Sequence, residues 1–78
     1  MNDELTQAID LAIQNQWEEA HELVAESEHP IACWLHAVLH KIEGDISNSN
    51  YWYRRAKRSD PGVGTEAELL LIKEALQE

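Results

Sequence analysis

His36 and His40 stand one helical turn apart in the stretch CWLHAVLHKIEGD, residues 33 to 45, and they are the side chains here best suited to chemistry. At 3.6 residues per turn they project side by side, and imidazole is a common ligand for transition metals. Glu43 extends the same stripe, so His36-x3-His40-x2-Glu43 offers three ligands for a divalent metal such as zinc. A small metal-binding protein, or a metal-dependent hydrolase using His36, His40 and Glu43, is the corresponding function. The pattern lacks the internal glutamate of H-E-x-x-H and any cysteine pair, which makes it loose.

The rival reading of the same residues is structural. Ile31, Trp34, Leu35, Val38, Leu39 and Ile42 already form a full apolar face. Cys33, His36, Ala37 and His40 lie roughly 150–180° around the helix from it. A helix with two such stripes is sandwiched, and each polar group buried in the second must find a partner or cost about 1–3 kcal/mol. The favoured expectation is a hydrogen-bonded seam of His36, His40, Ser49, Asn50 and Tyr53, with no cofactor. A Cys33–His36 nucleophilic pair is disfavoured, because a reactive thiol needs an exposed, electropositive setting.

A second constellation is YWYRRAKR, residues 51 to 58, which holds four of the six basic side chains. Cations at a helix C-terminus oppose its partial negative charge, and Glu18, Glu19 and Glu22 are available to pair with them. Arginine beside aromatic rings is also what binding surfaces concentrate. Tyr51, Trp52, Arg54 and Arg55 are therefore the candidate binding residues, with a protein or acidic peptide as partner. Trp34 and Lys41 form a second candidate surface.

These residues need helices to position them. Leu5, Ala8, Ile9, Ala12 and Ile13 repeat at helical spacing, with Asn2 or Asp3 as cap; Trp17, Ala20, His21, Val24 and Ala25 resume the period after Asn15. Pro30 suits the first turn of a third helix, which Gly44 ends. Asp45 or Ser47 caps a fourth, from about Ile46 to Arg58. SDPGVG, residues 59 to 64, is a loop. Thr65 and Glu68 then read as a capping box for a last helix with Leu69, Leu70, Ile72 and Leu76 as its apolar positions. No alternating run predicts a strand.

The chain also repeats itself. Asn15-Gln16-Trp17-x2-Ala20-x3-Val24 aligns with Gly44-Asp45-Ile46-x2-Ser49-x3-Tyr53, a period of 29 residues. Small residues at matched points let paired helices approach closely, the mark of stacked helical hairpins. The second unit, Cys33-x2-His36-Ala37-x2-His40…Ser49-x3-Tyr53…Pro61, resembles a tetratricopeptide repeat (TPR) in its spacing, and in residue type at Ala37, Ser49, Tyr53 and Pro61. Residues 34 to 56 further resemble a group of small, functionally uncharacterised proteins with a HAxxHxxEGDxxNxxYWYRRA-type motif, a resemblance that brings no activity with it.

The fold class expected is all-α over a single domain, 1–78: two stacked antiparallel hairpins plus a C-terminal capping helix, TPR-like. Its expected role is non-catalytic protein binding. Fifteen acidic against six basic residues give a net charge of −9, which argues against nucleic acid and anionic membrane as partners. A lone cysteine and the absence of a basic, apolar leader predict a cytoplasmic protein. Two repeats fall below the usual three, and a homo-oligomer is one remedy.

Overall fold

Five α-helices occupy the five segments of period 3.6. In the structure, a computed structural model describing residues 3–77, they are α1 (Asp3–Ile13), α2 (Trp17–Val24), α3 (Pro30–Ile42), α4 (Ile46–Ala56) and α5 (Thr65–Gln77). No strand occurs among the described residues, and no described helix is long and apolar enough to cross a membrane. The cap assigned to Asn2 or Asp3 rests on side chains outside the described part of the chain.

The internal repeat is visible in the backbone. Asn15 and Gly44 both take the left-handed conformation, with φ of 67° and 83°, which glycine adopts freely and asparagine tolerates better than most residues. At the first turn Asn15 N–H donates to Ala12 (3.0 Å) and Gln16 N–H to Leu11 (2.9 Å); at the second Gly44 N–H donates to Lys41 (3.0 Å) and Asp45 N–H to His40 (2.9 Å). This is the same Schellman closure 29 residues apart, and it satisfies carbonyls that a helix end otherwise leaves unpaired. The following helices start alike, with Ala20 N–H donating to Gln16 and Ser49 N–H to Asp45.

Helix α3 is central. It packs on all four others, and every residue from Ala32 to Leu39 is buried. The apolar face reaches α1 and α5, while the opposite stripe meets α2 and α4. Close approach to α4 is fixed at Ser49, whose hydroxyl donates to the Ala37 carbonyl over 2.8 Å in the interior. His29 caps α3, its Nδ1 accepting from Ile31 N–H at 3.1 Å, and Pro30 follows in the first turn. Asp45 caps α4 by accepting from Asn48 N–H.

Three expectations are corrected. Helix α4 stops at Ala56, two residues before Arg58, because Lys57 turns left-handed at φ 60°. Leu70 is 58 % exposed, so α5 buries a narrower stripe centred on Leu69 and Ile72. Glu68 does not serve a capping box: its carboxylate is wholly buried and accepts from Trp34, Tyr53 and Lys41 instead.

Candidate functional site

His36 is the centre of a four-ring cluster contributed by three helices. On one face its imidazole lies parallel to Trp52 of α4, with centroids 3.8 Å apart and planes 11° from parallel. On the other face lies His40, one turn further along α3, at 5.0 Å and 13°. His21 of α2 meets this stack edge-on, 4.4 Å from His36 and 5.4 Å from His40. Its Nε2 is 2.8 Å from the Nε2 of His36.

The hydrogen bonding here is incomplete. One N–H serves the His21–His36 contact, whichever ring donates it. The Nδ1 atoms of His36 and His40 are buried without a hydrogen-bond partner. Glu43 Oε1 and Asp45 Oδ2 lie 3.7 and 3.9 Å from His40 Nδ1, within ion-pair range but beyond a hydrogen bond. The expected seam with Ser49, Asn50 and Tyr53 is therefore not what these imidazoles find. Ser49 bonds the backbone, Asn50 is exposed, and the Tyr53 hydroxyl goes to Glu68.

Burial makes His36 an uncharged ring at neutral pH. Desolvation chiefly, then repulsion from His21, His40 and Arg55, lowers its pKa from 6.5 to about 4; removing water disfavours the imidazolium, and a positive neighbour adds to that. Its lone pair is free for a ligand role. Of the three residues that the sequence grouped as ligands, the structure brings together His36 and His40. The third imidazole beside them is His21, while Glu43 sits outside, half exposed, near His40 Nδ1. One ring nitrogen from each of His21, His36 and His40 lies within 4.8 Å of the others. The sequence placed His21 on the inner face of its helix, and that was the available signal. Cys33 is buried, and desolvation raises its pKa, so it holds a protonated thiol.

The arginine-aromatic face adjoins this cluster through Trp52. Arg55 lies 5.0 Å from the Trp52 ring centre and 5.8 Å from that of Tyr51. It donates to the Tyr51 hydroxyl (3.2 Å) and to Glu28 (3.4 Å). Tyr51, Arg54, Arg55, Lys57 and Arg58 are exposed, and Trp52 is half-buried. Trp34 and Lys41 are placed differently. Trp34 is buried with its Nε1 on Glu68 at 2.9 Å and the Arg58 guanidinium over its ring at 3.7 Å. Lys41 Nζ is held by Glu68 at 2.6 Å and Asp60 at 3.0 Å, so both side chains are already engaged within the fold.

A further concavity, of about 360 Å³, lies between the first turn and the start of α5, lined chiefly by Ile13, Trp17, Ile42, Leu69 and Leu70. No protein-family model, curated protein or solved structure matches the chain.

Proposed function

We propose that this chain is a small non-catalytic helical module, built on TPR-like hairpins, that docks an acidic peptide segment against Tyr51, Trp52, Arg54 and Arg55. The observation that carries this reading is where its positive charge is left unspent. Outside residues 54–58 the basic side chains are Lys41 and Lys73, and each is paired: Lys41 with Glu68 and Asp60, Lys73 with Asp10 at 2.9 Å. Within 54–58 only Arg55 has a carboxylate within 4.0 Å among the described residues, and that partner, Glu28, is itself largely exposed. A chain of net charge −9 thus concentrates four of its six cations at the end of α4, with Arg55 beside the Tyr51 and Trp52 rings.

Arginine guanidinium groups bind carboxylates in planar, bidentate fashion, and a tyrosine ring adds contact area at little entropic cost. Long-range repulsion from the rest of the chain favours short-range recognition over bulk attraction. The test is fluorescence anisotropy with a labelled Asp/Glu-rich peptide and its Asn/Gln counterpart. Wild type is expected to bind the acidic peptide alone, and the double variant Arg54→Glu, Arg55→Glu to bind it at least about tenfold more weakly, the worth of one charge-assisted hydrogen bond. Equal binding of both peptides, or an unchanged affinity in a folded double variant, would place the docking surface elsewhere, with the Trp17–Leu70 concavity next in line.

A further inference from the structure

Independently of peptide docking, we infer that His21, His36 and His40 form a binding site for a borderline transition-metal dication of the zinc type, with a coordination position left open. Three imidazoles from two helices each present a ring nitrogen within 4.8 Å of the others. Zinc–nitrogen bonds of about 2.0–2.1 Å place tetrahedral ligand atoms roughly 3.4 Å apart. Reaching that geometry requires the His21–His36 nitrogens, now 2.8 Å apart, to open slightly, the most distant pair, within 4.8 Å, to close by up to about 1.4 Å, and the His36 and His40 rings, now 13° from parallel, to rotate so that both in-plane lone pairs meet one ion.

Without an ion the cluster is poorly served. His36 is 4 % exposed, its Nδ1 and that of His40 have no hydrogen-bond partner, and the Nε2–Nε2 contact works only with one nitrogen bare. A metal replaces the single N–H···N hydrogen bond between His21 and His36 by two bonds to one cation.

The donor set selects the ion. Three neutral nitrogens without thiolate or clustered oxygen ligands suit zinc, copper, nickel or cobalt, and disfavour calcium and magnesium, which take oxygen. Glu43 and Asp45, beyond His40 Nδ1 at 3.7 and 3.9 Å, are in the position of outer carboxylates that fix a ligand ring and raise its basicity. Two helices packed on each other hold the three rings, and Trp52 covers His36 from the side away from His40.

Untagged, metal-stripped protein titrated with zinc by calorimetry, and followed in parallel by nitrogen-15 spectra of the imidazoles, tests the assignment. One equivalent is expected to bind and to shift His21, His36 and His40 while leaving His29, the fourth histidine and the cap of α3, unmoved. His21→Gln should abolish stoichiometric binding. Glu43→Gln should retain it, weakened by no more than the ~10–100-fold typical of an outer partner. Absence of stoichiometric binding overturns the site, and so does a zinc response centred on Glu43 that survives His21→Gln. Should His21→Gln fail to fold, the wild-type spectra decide alone: any response that omits one of the three rings, or includes His29, counts against the assignment.

Discussion

Trp34 and Glu68, 34 positions apart in the chain, meet in the interior, where the indole N–H donates to the carboxylate over 2.9 Å. The other calls on that carboxylate are the Tyr53 hydroxyl at 2.5 Å and Lys41 Nζ at 2.6 Å. One side chain of α5 thereby fastens to both helices of the second hairpin. A wholly buried carboxylate is tolerable only because a cation and two further donors satisfy it. Burial alone would lower the pKa of Lys41; the bonds from Glu68, Tyr53 and Asp60 more than reverse it, and the net shift is upward. Tyr53 also rises, through burial first and then through Glu68. The network holds Lys41 as an ammonium across the neutral range.

Glu68→Leu should therefore cost about 3–5 kcal/mol, the usual penalty when one partner of a buried ion pair is removed, and Asp60 keeps it toward the lower end by retaining Lys41. Glu68→Gln should cost less, since its amide oxygen still accepts from one donor. Urea unfolding followed by circular dichroism measures both. Equal effects, or less than about 1 kcal/mol for leucine, would show that the network contributes little beyond a neutral contact.

His36 supplies a pH dependence whose sign is fixed. Its folded pKa, about 4, lies below the ordinary 6.5, so between those values the unfolded chain binds a proton that the folded chain refuses. Stability from this group is fully present above pH 6.5 and falls as pH is lowered toward 4, by on the order of 3 kcal/mol across the window. His36→Phe keeps a ring against Trp52 and removes the titration. Its stability should be flatter from pH 6.5 to 4 than that of wild type, read by thermal melts in metal-free buffer.

The helices were legible because their apolar spacing is local, and so were the turns, because Asn15 and Gly44 repeat the same closure. What escaped were side chains whose partners come from elsewhere. Thr65-x2-Glu68 has the local form of a capping box, but a buried tryptophan, tyrosine and lysine outbid one backbone N–H for the carboxylate. His36 and His40 declared themselves by their i, i+4 spacing. His21 lies 15 residues before His36, and only the packing of α2 on α3 joins them. Glu43 has the right spacing along the helix but lies beyond His40, toward solvent. Trp34 belongs by spacing to the apolar face of α3 and, with Lys41, also to a candidate binding surface; α5 decides between the two by placing Glu68 against both.

Lys57 is a site where stability can be gained. With φ at 60° it carries a side chain in a conformation that costs an L-residue about 1–2 kcal/mol and costs glycine almost nothing. Its N–H closes the end of α4 onto Arg54 and Tyr53, and glycine keeps that donor. Lys57→Gly should raise stability by about 0.5–1 kcal/mol after the extra freedom of the unfolded chain is subtracted. A lower midpoint in urea would mean that the lysine side chain makes a contact worth more than the strain.

Trp52 separates the causes of the His36 shift. Desolvation stands first among them and Arg55 last, and the Trp52 ring, stacked on His36 at 3.8 Å, is one wall that keeps water away. Trp52→Leu keeps an apolar side chain but uncovers part of the imidazole, so the folded pKa should climb from about 4 back toward 6.5 as the imidazolium regains hydration. Arg55→Gln removes one positive charge from an exposed position, where the field at His36 is screened by water, and should raise the pKa by a smaller amount. Proton titration of the His36 ring by NMR in metal-free buffer ranks the two variants. If Arg55→Gln proves the larger, the low basicity of His36 is set by neighbouring charge rather than by burial, and the imidazole stack is more open to solvent than its packing indicates. The same ranking bears on peptide docking: an acidic segment that neutralises Arg55 should move the His36 titration only slightly, whereas one that displaces Trp52 from the stack should move it as far as the leucine variant does.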